Sequence, residues 1–391
     1  MILNENSEKK IIPIAGGKGG VGKSVLSTNL SLLLAVNGKK TIVVDLDLGG
    51  SNLHTMLGIK NNNKGIGNFI SDKSLTMEEL VVPTDYENLS LIPGDVLVYG
   101  LGEIAFEEKK RIMKGLVELD ADYILLDLGA GSSLNVIDFF LIANSGIVVT
   151  TPHMTSIMNA FGFLKNVAFR FLQRAFAENE VFTEYFDRAF QERNPGEQKP
   201  LKEMLEELRH VEPEAVEKAE LFLDILQPKI IMNMAEDASE LSIAESLKDL
   251  TDRSLSIHAE CLGMLFMDKQ VSDALKERVP FIMQYPDAVT AEGMDRIAKK
   301  IIFSKRFPEM PLELDYYKDS FELAHIEAEN DQVVMEREKG GGYSPEEIEN
   351  LVRLVEEQKK RIYELETALG RSALSGATQG GIIDQINRMS M

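Results

Sequence analysis

Apolar residues gather into short runs that recur along the larger part of the chain, at Ile11 to Ala15, Thr41 to Asp45, Leu89 to Pro93, Tyr123 to Asp127, Ile147 to Thr151, Lys229 to Asn233 and Leu262 to Leu265. Within each run the apolar positions are nearly continuous rather than alternating, which is the pattern of a strand covered on both faces. Between the runs the spacing turns helical. Val25, Leu26, Leu30, Leu33 and Leu34 follow such a spacing until Asn37-Gly38, a normal helix stop. Alternating strands and helices of this kind predict an α/β fold, a doubly wound and mostly parallel sheet flanked by helices. Such a sheet presents ligands at the carboxyl ends of its strands.

The alternation lapses between Ala168 and Gln227, where two strand-like runs lie much further apart than one helical connection requires. This segment, about 168–227, reads as a helical insertion in a domain spanning 10–305. Phe169, Leu172, Phe176, Phe182, Phe186 and Phe190 stand near helical spacing there, with breaks at Asn194-Pro195-Gly196 and near Pro213. Two readings stay open for that aromatic face: a small helical subdomain packed on the sheet, or a docking surface for a partner.

Beyond Phe307 the composition changes, with 17 acidic against 7 basic residues between Pro308 and Gly370. Residues 306–343 read as an acidic linker. At Ser344 a helix start follows, with Pro345 suited to the first turn and Glu347 completing a capping box. Ile348, Leu351, Val355, Gln358, Ile362, Leu365 and Leu369 then keep a three-four spacing, so 344–370 is expected to be a coiled-coil-like helix that self-associates, binds a partner or docks on the body. Residues 371–391 form a tail, and from Gly376 onward its single base, Arg388, is offset by Asp384, giving at most weak membrane contact.

Charge narrows the functional classes. With 63 acidic against 42 basic residues the net charge is −21, which opposes general binding to nucleic acid or anionic lipid. A single cysteine, Cys261, excludes an internal disulfide and a multi-cysteine metal site within one subunit, and its apolar surroundings predict a buried strand residue. The polar opening and the lack of any run near the roughly 18 apolar residues of a membrane span lead to the expectation of a cytoplasmic protein.

Candidate chemistry starts directly behind the first strand. Gly16 to Ser24 read Gly-Gly-Lys-Gly-Gly-Val-Gly-Lys-Ser, and Gly17, Gly22, Lys23 and Ser24 meet the phosphate-loop pattern G-x-x-x-x-G-K-[ST]. Glycines let backbone N–H groups turn inward onto a phosphate chain, Lys23 supplies a point charge to the β- and γ-phosphates, and the Ser24 hydroxyl suits the accompanying Mg2+. The stretch Gly17, Gly19, Gly20, Val21, Gly22, Lys23, Ser24 and Val25 is therefore the expected nucleotide cradle, at the start of a helix whose positive dipole end faces the phosphates. Hydrolysis also needs carboxylates at neighbouring strand ends, and Asp45-Leu46-Asp47 and Asp127-Leu128-Gly129 supply them.

The form Lys18-Gly19-Gly20-Val21-Gly22-Lys23-Ser24 resembles the deviant Walker A loop of the MinD/ParA family of P-loop ATPases. That resemblance implies a homodimer with two ATP molecules between the subunits, Lys18 reaching the partner's nucleotide. It further implies Asp47 as the residue that orients the attacking water, Asp45 as support for the loop and magnesium shell, Asp127 as a magnesium contact through water, and Gly129 as an N–H donor to the γ-phosphate. Asn233 stands where the family uses an asparagine for the adenine base, although Met234 replaces the usual following base. The segments 47–53, 148–157 and 279–286 are similar to the FlhG and FleN branch. Implied with it are a slow ATPase that positions or recruits other proteins, in polar, flagellar or cell-division placement, and a location peripheral to the membrane or polar. Two alternatives share the fold: a carrier that holds a hydrophobic protein segment on the insertion, and a nucleotide-bound scaffold with little turnover.

Overall fold

The computed structural model describes residues 9–60, 64–94, 104–143, 145–191, 199–304 and 320–338. Eight strands, β1 (Lys10–Ala15), β2 (Thr41–Leu46), β3 (Val82–Pro83), β4 (Leu89–Ile92), β5 (Tyr123–Leu128), β6 (Ile147–Thr150), β7 (Lys229–Ala235) and β8 (Glu260–Phe266), form one sheet in the order β3-β4-β2-β5-β1-β6-β7-β8. All pairs are parallel except β3 with β4. The seven apolar runs are thus seven strands, and β3 is an addition that periodicity did not disclose. It is two residues long and holds Pro83, which lacks a backbone N–H and is tolerated because the strand is an edge.

Fourteen α-helices are described: α1 (Lys23–Val36), α2 (Leu53–Met56), α3 (Ile66–Ser71), α4 (Phe106–Glu118), α5 (Leu134–Phe140), α6 (Met154–Ala175), α7 (Glu180–Gln191), α8 (Leu201–Arg209), α9 (Pro213–Ile225), α10 (Leu241–Leu255), α11 (Lys269–Glu277), α12 (Phe281–Gln284), α13 (Val289–Phe303) and α14 (Ser320–Glu338). Among the described residues no helix is long and apolar enough to cross a membrane. Successive side chains of a strand point to opposite faces. Ile42, Val44, Ile124 and Leu126 accordingly join the core beneath α4, α5, α6 and α10, while Val43 and Leu125 join the one beneath α1 and α13. Double-sided burial explains why these strands read as unbroken apolar runs. Cys261 is fully buried in β8.

Between β6 and β7 the chain forms α6 to α9, and the aromatic face noted in the sequence is interior. Phe176 and Phe182 stack at 4.3 Å, Phe182 and Phe186 at 4.7 Å, and Phe169 meets Phe186 edge-on at 5.7 Å. All four are buried. These rings hold α6 and α7 together, which removes them as a docking surface and as a cradle for a hydrophobic segment; the side chain of Phe190 lies outside the described residues.

A second correction concerns 306–343. Residues 320–338 of that expected acidic linker are α14, docked on β8 with Phe321, Leu323, Ala324 and Ala328 buried. Two of its acids are met by cations of α13: Lys300 pairs with Glu327 at 2.6 Å, and Arg296 pairs with Asp331. Ser320 accepts the Cys261 N–H at 2.9 Å, so α14 also occupies a backbone donor of the edge strand. The expected coiled-coil segment 344–370 and the tail 371–391 lie outside the described residues.

Candidate active site

The sheet grows from β1 in both directions, toward β2 by way of β5 and toward β7 by way of β6, so the loop after β1 sits at the topological switch point. Gly20 and Gly22 there have φ of +80° and +91°, left-handed values that glycine adopts without strain. Gly22 is the N-cap of α1, no side chain caps the helix, and no acid occupies its first turn. The leading N–H groups of α1 are left for an anion. Lys23, in the first turn, is buried, whereas Lys18 is exposed on the loop.

Neighbouring elements enforce that shape. A Cβ on Gly17 would lie 2.2 Å from the carbonyl of Asn159, so α6 passes directly behind the loop. Asn233, at the end of β7, donates its Nδ2 to the Val21 carbonyl at 2.9 Å, and Met234 beside it takes a φ of +58°. Val25 follows Ser24 on the first turn, half-buried.

Asp45 and Asp127 are register partners on β2 and β5, both buried at the carboxyl end of the sheet. Asp45 Oδ2 accepts the Ser51 hydroxyl at 2.7 Å and the N–H groups of Asn52 and Leu53 at 3.0 and 3.2 Å, and Oδ1 accepts the Asp47 N–H at 3.2 Å. Its carboxylate therefore ties the segment 47–53 to the end of β2. Burial raises its pKa, and these four bonds offset part of the rise. Asp127 Oδ1 accepts the Ser27 hydroxyl at 2.9 Å. Its carboxyl is pushed up to about 7, by burial first and by the nearby Asp45 as well, against the opposing hydroxyls of Ser24 and Ser27 and the charge of Lys23.

Asp47 faces the same space from the loop after β2. A Cβ on Gly129 would stand 3.3 Å from its Oδ1 and one on Gly50 3.3 Å from its Oδ2, so the carboxylate occupies a notch between two glycines. The Gly131 N–H donates to the Gly16 carbonyl at 3.3 Å, which joins the segment after β5 to the phosphate loop. Gly17, Lys23, Ser24, Asp45, Asp47, Asp127, Gly129 and Asn233 thus converge at the carboxyl end of the sheet. Ser27 and Ser51 are the site residues that sequence reading missed. Ser27 had a signal, since it stands three positions after Ser24 on the same face of α1.

Two adjacent buried carboxyls with raised pKa values form a site suited to a cation. Among the described residues no group of three or more His, Cys, Asp or Glu side chains converges. The donor set therefore fits Mg2+, which commonly takes one or two carboxylates or hydroxyls and completes its shell with water and phosphate oxygens. Ser24, Asp45 and Asp127 are the residues that would hold it.

The raised pKa has a consequence for stability. Because the folded chain keeps the Asp127 proton more tightly than a chain with the ordinary 3.8, the neutral carboxyl's contribution is fully present below about pH 4 and is lost as pH rises through about 7. Without nucleotide or magnesium, Asp127→Asn is expected to melt several degrees above wild type near pH 8, with the advantage shrinking toward pH 5. Calorimetric scans at the two pH values check this, and an advantage independent of pH would contradict it.

Residues 9–175 match the family described as AAA domain. The flagellum site-determining protein YlxH of Helicobacter pylori is 34% identical over 170 residues, which cover 42% of this chain and 55% of that protein. The septum site-determining protein MinD of the same organism is 32% identical over 151 residues, covering 38% and 56%. The chain spans about half the length of these curated relatives. The solved MinC:MinD cell division protein complex of Aquifex aeolicus is alike in fold, with a TM-score of 0.51 at 19% identity over 78% of this chain and 98% of that one.

A glycine-lined loop between β1 and an uncapped helix, with paired carboxyls on the adjoining strands, defines a P-loop α/β protein. Within that class the chain is similar, over less than half of its length, to the flagellum-site and septum-site-determining proteins just described.

Proposed function

We propose that the chain binds ATP with Mg2+, hydrolyses it slowly, and uses the two nucleotide states as a homodimeric switch that positions or recruits partner proteins. The observation that carries this reading is the seat of Asp47 between Gly50 and Gly129, beside the loop that holds Lys23. A carboxylate there can orient a water toward a γ-phosphate whose oxygens meet the Gly129 N–H. Gly17, Gly19, Gly20, Val21, Gly22, Ser24 and Val25 cradle the phosphates, and Lys23 neutralises the β- and γ-oxygens. Asn233 serves the adenine base. Bound Mg2+ would absorb developing phosphate charge, held by Ser24, Asp45 and Asp127.

Exposed Lys18 crosses to the nucleotide of a second copy. Closing two copies over ATP stabilises the dimer by the differential affinity of the closed state, and loss of the γ-phosphate releases segments 47–53 and 127–131. Partners are reached through the surface of the helical insertion or through 344–370. The Helicobacter relatives are named for flagellum-site and septum-site determination, and we assign this chain a task of the same kind, in the cytoplasm at a pole or membrane surface.

Phosphate release from ATP under single-turnover conditions tests the reading. Slow release that requires Mg2+ is expected, and ATP that stays bound and uncleaved would contradict hydrolysis and leave a scaffold.

A further inference from the structure

Helix α9 buries one face and shows a second apolar stripe to solvent. Ala215, Val216, Ala219 and Leu223 pack into the core. On the opposite side Glu217, Leu221 and Ile225 form a row at four-residue spacing, with Glu214 and Asp224 alongside. Leu221 is 62% and Ile225 46% exposed, and Val211, in the turn that leads into the helix, is 66% exposed. A surface helix needs only its inner stripe to be apolar. Three large aliphatic side chains on the outer side therefore call for a partner.

The charge around them says which kind. Glu214, Glu217 and Asp224 are exposed, and Glu214 and Glu217 make no ion pair among the described residues. From Phe176 to Gln227 the sequence carries 14 acidic against 6 basic residues. A second copy of this face would bring the same carboxylates together, and anionic lipid or nucleic acid would meet like charge. A segment that is both apolar and cationic satisfies both features: its aliphatic side chains cover Leu221 and Ile225, and its lysines or arginines reach the flanking carboxylates.

We propose that the outer face of α9 is a docking site for a basic amphipathic helix of a partner protein. This goes beyond the nucleotide switch and does not depend on it, so the two can fail separately.

The probe is a labelled amphipathic peptide of about 18 residues built of leucine and lysine, with leucines at helical three-four spacing. Its binding to the full chain is followed by fluorescence anisotropy near 0.1 M salt, where screening still lets nearby charges act within about 10 Å. Leu221→Ser with Ile225→Ser keeps every charge and is expected to weaken binding at least about tenfold. Glu214→Gln with Glu217→Gln should weaken it by a similar factor and flatten its dependence on salt. Val117→Ser, an exposed apolar control on α4 at 56%, should leave it unchanged. If both double variants bind the peptide as wild type does, the peptide is held by overall negative charge and the proposal is overturned. It is equally overturned if the Leu221 and Ile225 substitutions abolish self-association or binding to phosphatidylglycerol vesicles while the peptide affinity stays the same.

Discussion

Replacing Lys23 by alanine is expected to remove nucleotide binding almost entirely. The lysine is buried at the first turn of α1, with its stem under Gly16, so its ammonium is held where a phosphate anion meets the open helix N-terminus. Three features favour an anion there: left-handed glycines that turn N–H groups inward, an uncapped helix start, and this one cation. Removing one partner of a desolvated, hydrogen-bonded charge pair costs about 2–5 kcal/mol, which corresponds to an affinity loss from roughly thirtyfold to several thousandfold. Calorimetric titration with ATP and Mg2+ measures it. A variant that keeps wild-type affinity would mean that the phosphates are not gripped by this loop.

Replacing Asp47 by alanine should separate binding from turnover. Asp47 contributes no side-chain bond to the phosphate loop, and its fold-holding contact is made by its backbone N–H to Asp45, which alanine preserves. Its carboxylate stands against Gly50 and Gly129, where the γ-phosphate of the proposed nucleotide would face it. Loss of a positioned carboxylate typically lowers a hydrolytic rate by about 10²–10⁴-fold. Phosphate release should fall by that order while ATP affinity stays within about threefold of wild type. Equal losses in both would make Asp47 a structural residue of the loop instead.

Much of the placement of these residues was legible in the sequence, because a phosphate loop constrains backbone and side chain together. Gly20 and Gly22 take a φ that suits glycine, Lys23 and Ser24 follow at fixed spacing, and the aspartates end β5, which flanks β1, and β2, the next strand out. The role of Asp45 was less legible. Its oxygens are largely occupied by Ser51, Asn52 and Leu53, and those partners lie in a loop whose path no periodicity reveals. The strands were readable because double-sided burial leaves an unbroken apolar run, whereas β3, two residues with a proline, leaves no pattern at all.

Helix α14 escaped for a different reason. Read alone, its segment is acidic and resembles a solvated linker; what lets it dock is Lys300 and Arg296 on α13, which neutralise Glu327 and Asp331 from another part of the chain. The phenylalanines of α6 and α7 show the converse limit. Helical spacing disclosed an aromatic face, but not that the same chain would cover it, with Phe176, Phe182 and Phe186 stacked on one another. Periodicity reports that a face is apolar, and only the packed structure reports what lies against it.

If a triphosphate on this loop clasps two copies of the chain together, the mass of the particle follows the nucleotide. Light scattering on the Asp47→Ala chain measures it most directly, because that variant retains the γ-phosphate throughout the experiment. A particle of twice 43.6 kDa is expected with ATP and Mg2+, and one of 43.6 kDa with ADP or without nucleotide. A single mass under all three conditions would contradict it.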